Sequence, residues 1–171
     1  MTAMVMIARH LLAILILPFM AAVVLPYWLL SYFADADTRW RNVWPLEWIP
    51  RSLGALVLVG GLALFGWCLV SFAKVGHGTL APWDPTEDLV AAGPYRYSRN
   101  PMITGVAFVL IGEAIVFGST VLGLWAAVFV LVNQVYFIAW EEPDLASRFG
   151  ASYLAYKATV PRWIPIWKPR A

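Results

Sequence analysis

Charge is what this 171-residue chain has least of. Asp, Glu, Lys and Arg together make up 13% of it, about half the roughly 25% of an ordinary soluble domain. So sparse a set cannot cover a soluble surface. Cysteine is nearly absent. Cys68 stands alone inside an apolar run, which excludes an intrachain disulfide and a Cys-x-x-Cys metal site. The two histidines, His10 and His77, do not make a metal centre either. The net charge is only +2 and no basic run is dense, so there is no track for nucleic-acid phosphates. What fills the chain is apolar: 61% of residues, with a mean hydropathy of +0.72. A disordered chain is excluded on the same ground. Ten Trp and seven Tyr suit the two interfaces of a bilayer. The composition points to an integral membrane protein, and its apolar segments to an all-α, polytopic one.

A spanning helix needs about 20 mostly apolar residues, and four segments approach that. The first, 11–33, contains Pro18 and Pro26, which kink it; neighbouring helices can satisfy the carbonyls so released. It is too long for the apolar region of a signal peptide and has no A-x-A cleavage site. The second is 52–73, closed by Arg51 and Lys74. The third, 101–117, carries Glu113, and the fourth, 121–140, carries Asn133 and Gln134. Gly118, Ser119 and Thr120 between them predict a helical hairpin. Residues 34–50 place Trp40, Trp44 and Trp48 at helical spacing, an interfacial helix with its Trp stripe towards lipid. The chain divides into 1–75, with spans one and two, and 76–171, with a polar loop, the hairpin and a C-terminal segment.

Lys and Arg set the orientation. Nine lie on the side of the termini and the 74–100 loop, and three lie opposite. Both termini, that loop and the C-terminal segment are therefore expected in the cytoplasm, with the protein in the inner or cell membrane. Chemistry belongs on that side, where nearly all the polar residues are.

Two polar motifs meet there. Span three starts at Arg99-Asn100-Pro101 and span four returns to Glu141-Glu142, so the hairpin makes them neighbours. Asn100 as N-cap and Pro101 at the first helical position read as a capped helix start, which explains the first motif without function. The second is harder to explain that way. Two adjacent carboxylates at a helix C-terminus oppose the macrodipole, and polar groups placed at membrane depth tend to serve function. His77 between Gly76 and Gly78 suits a general base with a pKa near 6.5 or an ordinary turn. Glu113 is about 18 Å along its helix from Pro101, too deep for that site, and reads as structural. Asn133 and Gln134 read as hydrogen-bonding groups between helices. Asp84, Glu87 and Asp88 read as solvated turn residues, and Trp163 and Trp167 as interfacial anchors.

From Gly76 to Pro165 the chain resembles the integral-membrane methyltransferases that include isoprenylcysteine carboxyl methyltransferase and phosphatidylethanolamine N-methyltransferase. The shared pattern is Gly93-Pro94-Tyr95-Arg96, then Arg99-Asn100-Pro101-Met102, then Glu141-Glu142. Phe149-Gly150, Tyr153, Tyr156, Val160-Pro161 and Ile164-Pro165 follow the carboxyl methyltransferase tail. The resemblance implies S-adenosylmethionine as cofactor. It also implies a lipophilic acceptor entering sideways from the bilayer lipids, and a tail laid over the site as a lid. It assigns cofactor binding to Gly76, Gly78, Gly93, Tyr95, Arg96, Arg99, Asn100, Pro101, Glu141 and Glu142. His77, Arg99 and Glu141 become the catalytic candidates. The chain departs from the R-H-P-x-Y of the carboxyl enzymes, having Asn100 and Ile103 for its His and Tyr. Phe137 stands where the eukaryotic carboxyl enzyme carries an Arg. Asn-Pro-Met, Glu-Glu-Pro and Gly-x-Gly are closer to the phospholipid N-methyltransferases. A phospholipid amine such as phosphatidylethanolamine is therefore the expected acceptor, ahead of a prenylcysteine carboxylate or a small hydrophobic thiol. The competing class, a non-enzymatic scaffold or transporter subunit, finds no inverted repeat in the sequence.

Overall fold

The computed structural model describes residues 15–34, 37, 40, 46–75 and 89–166. Among them every regular element is helical. A π-wound stretch, Leu15–Val24, runs into α1, Leu25–Tyr32. Then come α2, Trp48–Val75; a 3₁₀ turn, Gly93–Arg96; α3, Pro101–Phe117; and α4, Thr120–Tyr136. A second π-wound turn, Phe137–Glu141, leads into α5, Glu142–Thr159.

Two helical runs, Trp48–Ser71 and Thr120–Thr159, are long and apolar enough to cross a membrane. Only 17% of the residues in the apolar window of each are buried within the protein, which is unlike the core helix of a soluble domain. Pro18–Tyr32 and Pro101–Phe117 are shorter apolar helices.

The first proline-bearing segment shows why prolines are tolerated. Pro26 has no N–H to give to the preceding turn. In the turn before it, Trp125 Nε1 of α4 donates to the carbonyl of Ala21 at 2.9 Å, so a neighbouring helix supplies a donor to this proline-bearing segment.

The most extensive helix contact is α2 against α3, and it is made by glycines. Gly54 faces Gly112 and Gly61 faces Gly105, so the two helices run antiparallel. A Cβ on Gly112 would lie 2.6 Å from the backbone nitrogen of Leu58, and one on Gly61 2.6 Å from the carbonyl oxygen of Gly105. Backbone meets backbone here, and only the missing side chains permit it. Two buried clusters flank this seam. Cys68, Val90, Tyr95 and Met102 fill the end near the start of α3, and Val106, Leu110 and Ala126 join α3 to α4.

Gly118 and Ser119 link α3 to α4. Gly118 closes α3 in the left-handed region, φ 63°, where residues with a Cβ are strained. Its α-carbon is covered by the Trp40 ring, and Trp40 Nε1 donates to the carbonyl of Ile115 at 2.8 Å. Trp40 is therefore turned towards protein, which corrects the expectation of a lipid-facing stripe. Trp48 is 56% exposed, and Trp44 lies outside the described residues. The start of α4 is capped locally by Ser119, whose hydroxyl oxygen accepts from the Leu122 N–H at 3.1 Å, and from a distance by Asp37. Asp37 Oδ1 accepts from the Thr120 N–H at 2.8 Å, and Oδ2 accepts from the Val121 N–H at 3.0 Å and from the Ser119 hydroxyl. Burial pushes the Asp37 carboxyl up, but these hydrogen bonds outweigh it and hold the group below its ordinary range.

Candidate active site

The two motifs meet. Arg99 Nη1 donates to Glu142 Oε1 at 2.8 Å, joining the segment before α3 to the first residue of α5. Glu142 also receives Arg162, through Nε at 2.8 Å and Nη2 at 2.7 Å, and Lys157 Nζ at 2.7 Å on its other oxygen. Its side chain is 9% exposed and that of Arg99 is 11% exposed. A carboxylate so buried is costly unless paired, and three cations supply the pairing. Tyr153, 1% exposed, adds its hydroxyl 3.3 Å from Arg99 Nη1.

The acidic pair does not end a helix, as the sequence suggested. The chain stays helical through it. Pro143 cannot donate to the turn before it and its ring crowds that turn, and the winding loosens to π over Phe137–Glu141 just upstream. Glu142 then follows as the first residue of α5 without a break in the helical backbone. A local π turn of this kind is common at functional sites. Glu141 differs from its neighbour. It lies within electrostatic reach of Arg99, Glu142 and Asp144 but makes no hydrogen bond or ion pair among the described residues. Arg99 Nε is likewise buried without a hydrogen-bond partner. One carboxylate and one guanidinium N–H are thus left open beside a saturated ion cluster.

The tail completes the site. The Arg99 N–H donates to the carbonyl of Pro161 at 2.9 Å, the Asn100 N–H to that of Arg162 at 3.3 Å, and the Ile166 N–H to that of Tyr97 at 3.0 Å. The Ser98 hydroxyl donates to the Arg162 carbonyl at 2.9 Å, and the Tyr156 hydroxyl to the carbonyl of Tyr95 at 2.7 Å. Residues 160–166 are therefore strapped along the segment that precedes α3.

Asn100 and Pro101 start α3, but the Asn100 side chain makes no capping bond; its carbonyl instead accepts from the Thr104 N–H at 3.1 Å and hydroxyl at 2.9 Å. Gly93 and Tyr95 pack against α2. A Cβ on Gly93 would run into Ser71 Oγ. Tyr95 is buried beside Cys68, and burial pushes its hydroxyl well above the usual range. Arg96 is exposed. Gly76, His77 and Gly78 lie outside the described residues, as do Asp84, Glu87, Asp88 and Trp167. Glu113 Oε2 is buried without a hydrogen-bond partner.

Two residues that the motifs did not single out belong here, Arg162 and Lys157. Asn133 does not bridge helices, because its Nδ2 donates to the Phe129 carbonyl of its own helix at 2.8 Å. Gln134 Oε1 accepts from Trp163 Nε1 at 2.7 Å. Trp163 is thus turned onto α4, with its ring 5.6 Å from that of Phe137, and not outward as an anchor. A basic residue between Pro161 and Trp163 in the tail was the available signal for Arg162.

Comparison with known proteins agrees with the resemblance. Residues 50–152 match the family described as phospholipid methyltransferase. The chain is 28% identical over 145 residues to protein-S-isoprenylcysteine O-methyltransferase of Rattus norvegicus, covering 80% of this chain and 48% of the relative. It is 26% identical over 141 residues to methanethiol S-methyltransferase 2 of Bradyrhizobium diazoefficiens, covering 74% and 52%. The chain thus spans about half the length of these curated relatives. No solved structure matches it significantly.

Proposed function

Because the chain belongs to the phospholipid methyltransferase family, we propose that it moves a methyl group from S-adenosylmethionine to a lipophilic acceptor at the cytoplasmic face of a membrane. The observation that carries this reading is the junction of Arg99 with Glu142. It gathers the two polar motifs at one end of the apolar helices. Four spans with both termini in the cytoplasm, and spans three and four as a hairpin, complete the arrangement. The nine-to-three distribution of Lys and Arg supports it.

The residues present fit the cofactor. Its methionine moiety carries an ammonium and a carboxylate, and the open groups are the Glu141 carboxylate and the buried Arg99 Nε–H. When bound, the sulfonium supplies an already activated methyl group. What the chain adds is position and exclusion of water. Glu142, held by Arg99, Arg162 and Lys157, fixes the wall of the site. Glu141 remains available to accept hydrogen bonds from a ligand.

A phospholipid amine is the proposed acceptor. Phe137, 2% exposed, stands where, on the resemblance, the eukaryotic carboxyl enzyme carries an Arg. The three cations of the cluster all bond to Glu142, which leaves them poorly placed to neutralise an acceptor carboxylate. An amine must lose a proton before attack, and His77 or Glu141 is the candidate base. A small thiol is the second reading, favoured by the similarity to the methanethiol enzyme. The test offers methyl-labelled S-adenosylmethionine and three acceptors to the purified full chain: phosphatidylethanolamine, methanethiol and a farnesylated cysteine analogue. Label on the phospholipid is expected. Label on the thiol alone selects the second reading, and label on the cysteine analogue alone overturns the acceptor assignment.

A further inference from the structure

One polar contact on α4 touches none of the groups assigned to the site. Gln134 Oε1 accepts from Trp163 Nε1 at 2.7 Å. The residue next to Trp163 is Arg162, whose guanidinium holds Glu142 and whose carbonyl accepts from Asn100 N–H and Ser98 Oγ. Adjacent tail residues therefore grip one continuous helical run at Gln134 and at Glu142. These positions are about 12 Å apart along the axis at 1.5 Å per residue. Phe137, under the Trp163 ring at 5.6 Å, lies between the two grips. Against the segment before α3 the tail is held by three backbone N–H bonds and the Ser98 hydroxyl, all of them accepted by backbone carbonyls. Along α4 the indole N–H and the glutamine amide form a side-chain bond specific to this pair.

Resting on the methyltransferase reading above, we propose that Gln134 and Trp163 are positioning residues. Their hydrogen bond latches the tail so that Arg162 sits on Glu142 and the cofactor site is complete. A tail released from Gln134 spends part of its time undocked. Apparent affinity for the cofactor then falls in proportion to the docked fraction. The latch contacts no proposed cofactor-binding group, so it acts through the docked tail, whose Pro161 and Arg162 bond Arg99, Asn100 and Glu142.

The test uses the full chain in detergent, with Gln134→Met, Trp163→Phe and Gln134→Glu, the last of which keeps an acceptor oxygen. Two quantities are measured: the Kd for S-adenosylmethionine and residue-resolved amide hydrogen exchange. Exchange is followed at Arg99, Asn100 and Ile166, whose N–H groups bond across the strap. In Gln134→Met and Trp163→Phe the Kd should rise about tenfold, as for a tail docked a tenth of the time. Exchange should quicken at those three amides while the α2–α3 seam keeps its protection, and Gln134→Glu should restore both. Unchanged Kd and unchanged exchange in folded variants overturn the proposal. So does exchange quickened equally along α2 and α3, which marks a merely structural bond. If the unaltered chain binds no S-adenosylmethionine, the methyltransferase reading fails. The exchange pattern and its rescue by Gln134→Glu then still decide whether the latch exists.

Discussion

Arg99 and Glu142 are 43 positions apart and bonded at 2.8 Å, and Glu142 holds Arg162 and Lys157 as well. Its neighbour Glu141 holds nothing among the described residues. Two adjacent carboxylates of the same chemistry are thus split into a structural centre and an open group, and the split has separable consequences.

Glu142→Gln should destabilise the protein. Removing one partner of a buried ion pair costs about 3–5 kcal/mol. The low end, about 3 kcal/mol, is expected because Lys157 is 43% exposed and solvent screens its share. Thermal unfolding in detergent checks this, with Glu141→Gln as the paired control that should shift little.

The α2–α3 seam predicts a sharp size limit. Gly112→Ala puts a methyl group 2.6 Å from the Leu58 backbone nitrogen, and the helices must separate to admit it. A loss of about 1–3 kcal/mol is expected. Gly60→Ala, whose added carbon meets nothing within 4 Å, should be neutral or slightly stabilising on helix propensity. Equal effects of the two, read by unfolding, would contradict the close-packed seam.

Asp37 predicts a pH dependence at the far end of the molecule. Its pKa is lowered in the folded state, so the unfolded chain takes up its proton first as pH falls. The stabilisation is complete above the unfolded value near 3.9 and is lost as pH drops through the folded value. Asp37→Asn should cost about 1–2 kcal/mol at pH 7, as for the loss of a charged helix cap. The deficit should shrink below pH 4. A deficit independent of pH down to that range would show that the carboxylate charge is not what caps α4.

The meeting of the two polar motifs was legible in the sequence, because the short Gly118-Ser119 link between two apolar runs predicts that the end of the second returns to the start of the first, and Arg99 bonds Glu142. The glycine-lined seam was not, since glycines at seven-residue spacing carry no apolar signal of their own. Trp40 was misread, and Asp37 carried no signal, for a related reason. Ser119 reads locally as an N-cap, but a carboxylate supplied from 82 positions away leaves no pattern of its own, and an indole bonded to a carbonyl looks, in sequence, like any interfacial Trp. Arg162 was counted for membrane orientation only. Its role depends on the tail lying along residues 97–100, and an irregular segment has no period from which that could be read. The helix through Glu141-Glu142 was cut short at Trp140 because the apolar run ends there, although the backbone continues by loosening one turn ahead of Pro143.

Reporter fusions address the proposed orientation. Reporters placed after Trp167 and within 34–50 should lie on opposite sides of the membrane, as the distribution of basic residues requires. Finding both on one side would break the four-span arrangement while leaving the Arg99–Glu142 junction intact.

Equilibrium binding of S-adenosylmethionine to the full chain in detergent tests the central claim most directly. The account predicts saturable binding, weakened roughly tenfold or more in Glu141→Gln, because a charge-assisted hydrogen bond contributes about 1.5–3 kcal/mol. A folded, unaltered chain that shows no saturable binding, or a Glu141→Gln variant that binds as tightly as the parent, would contradict it.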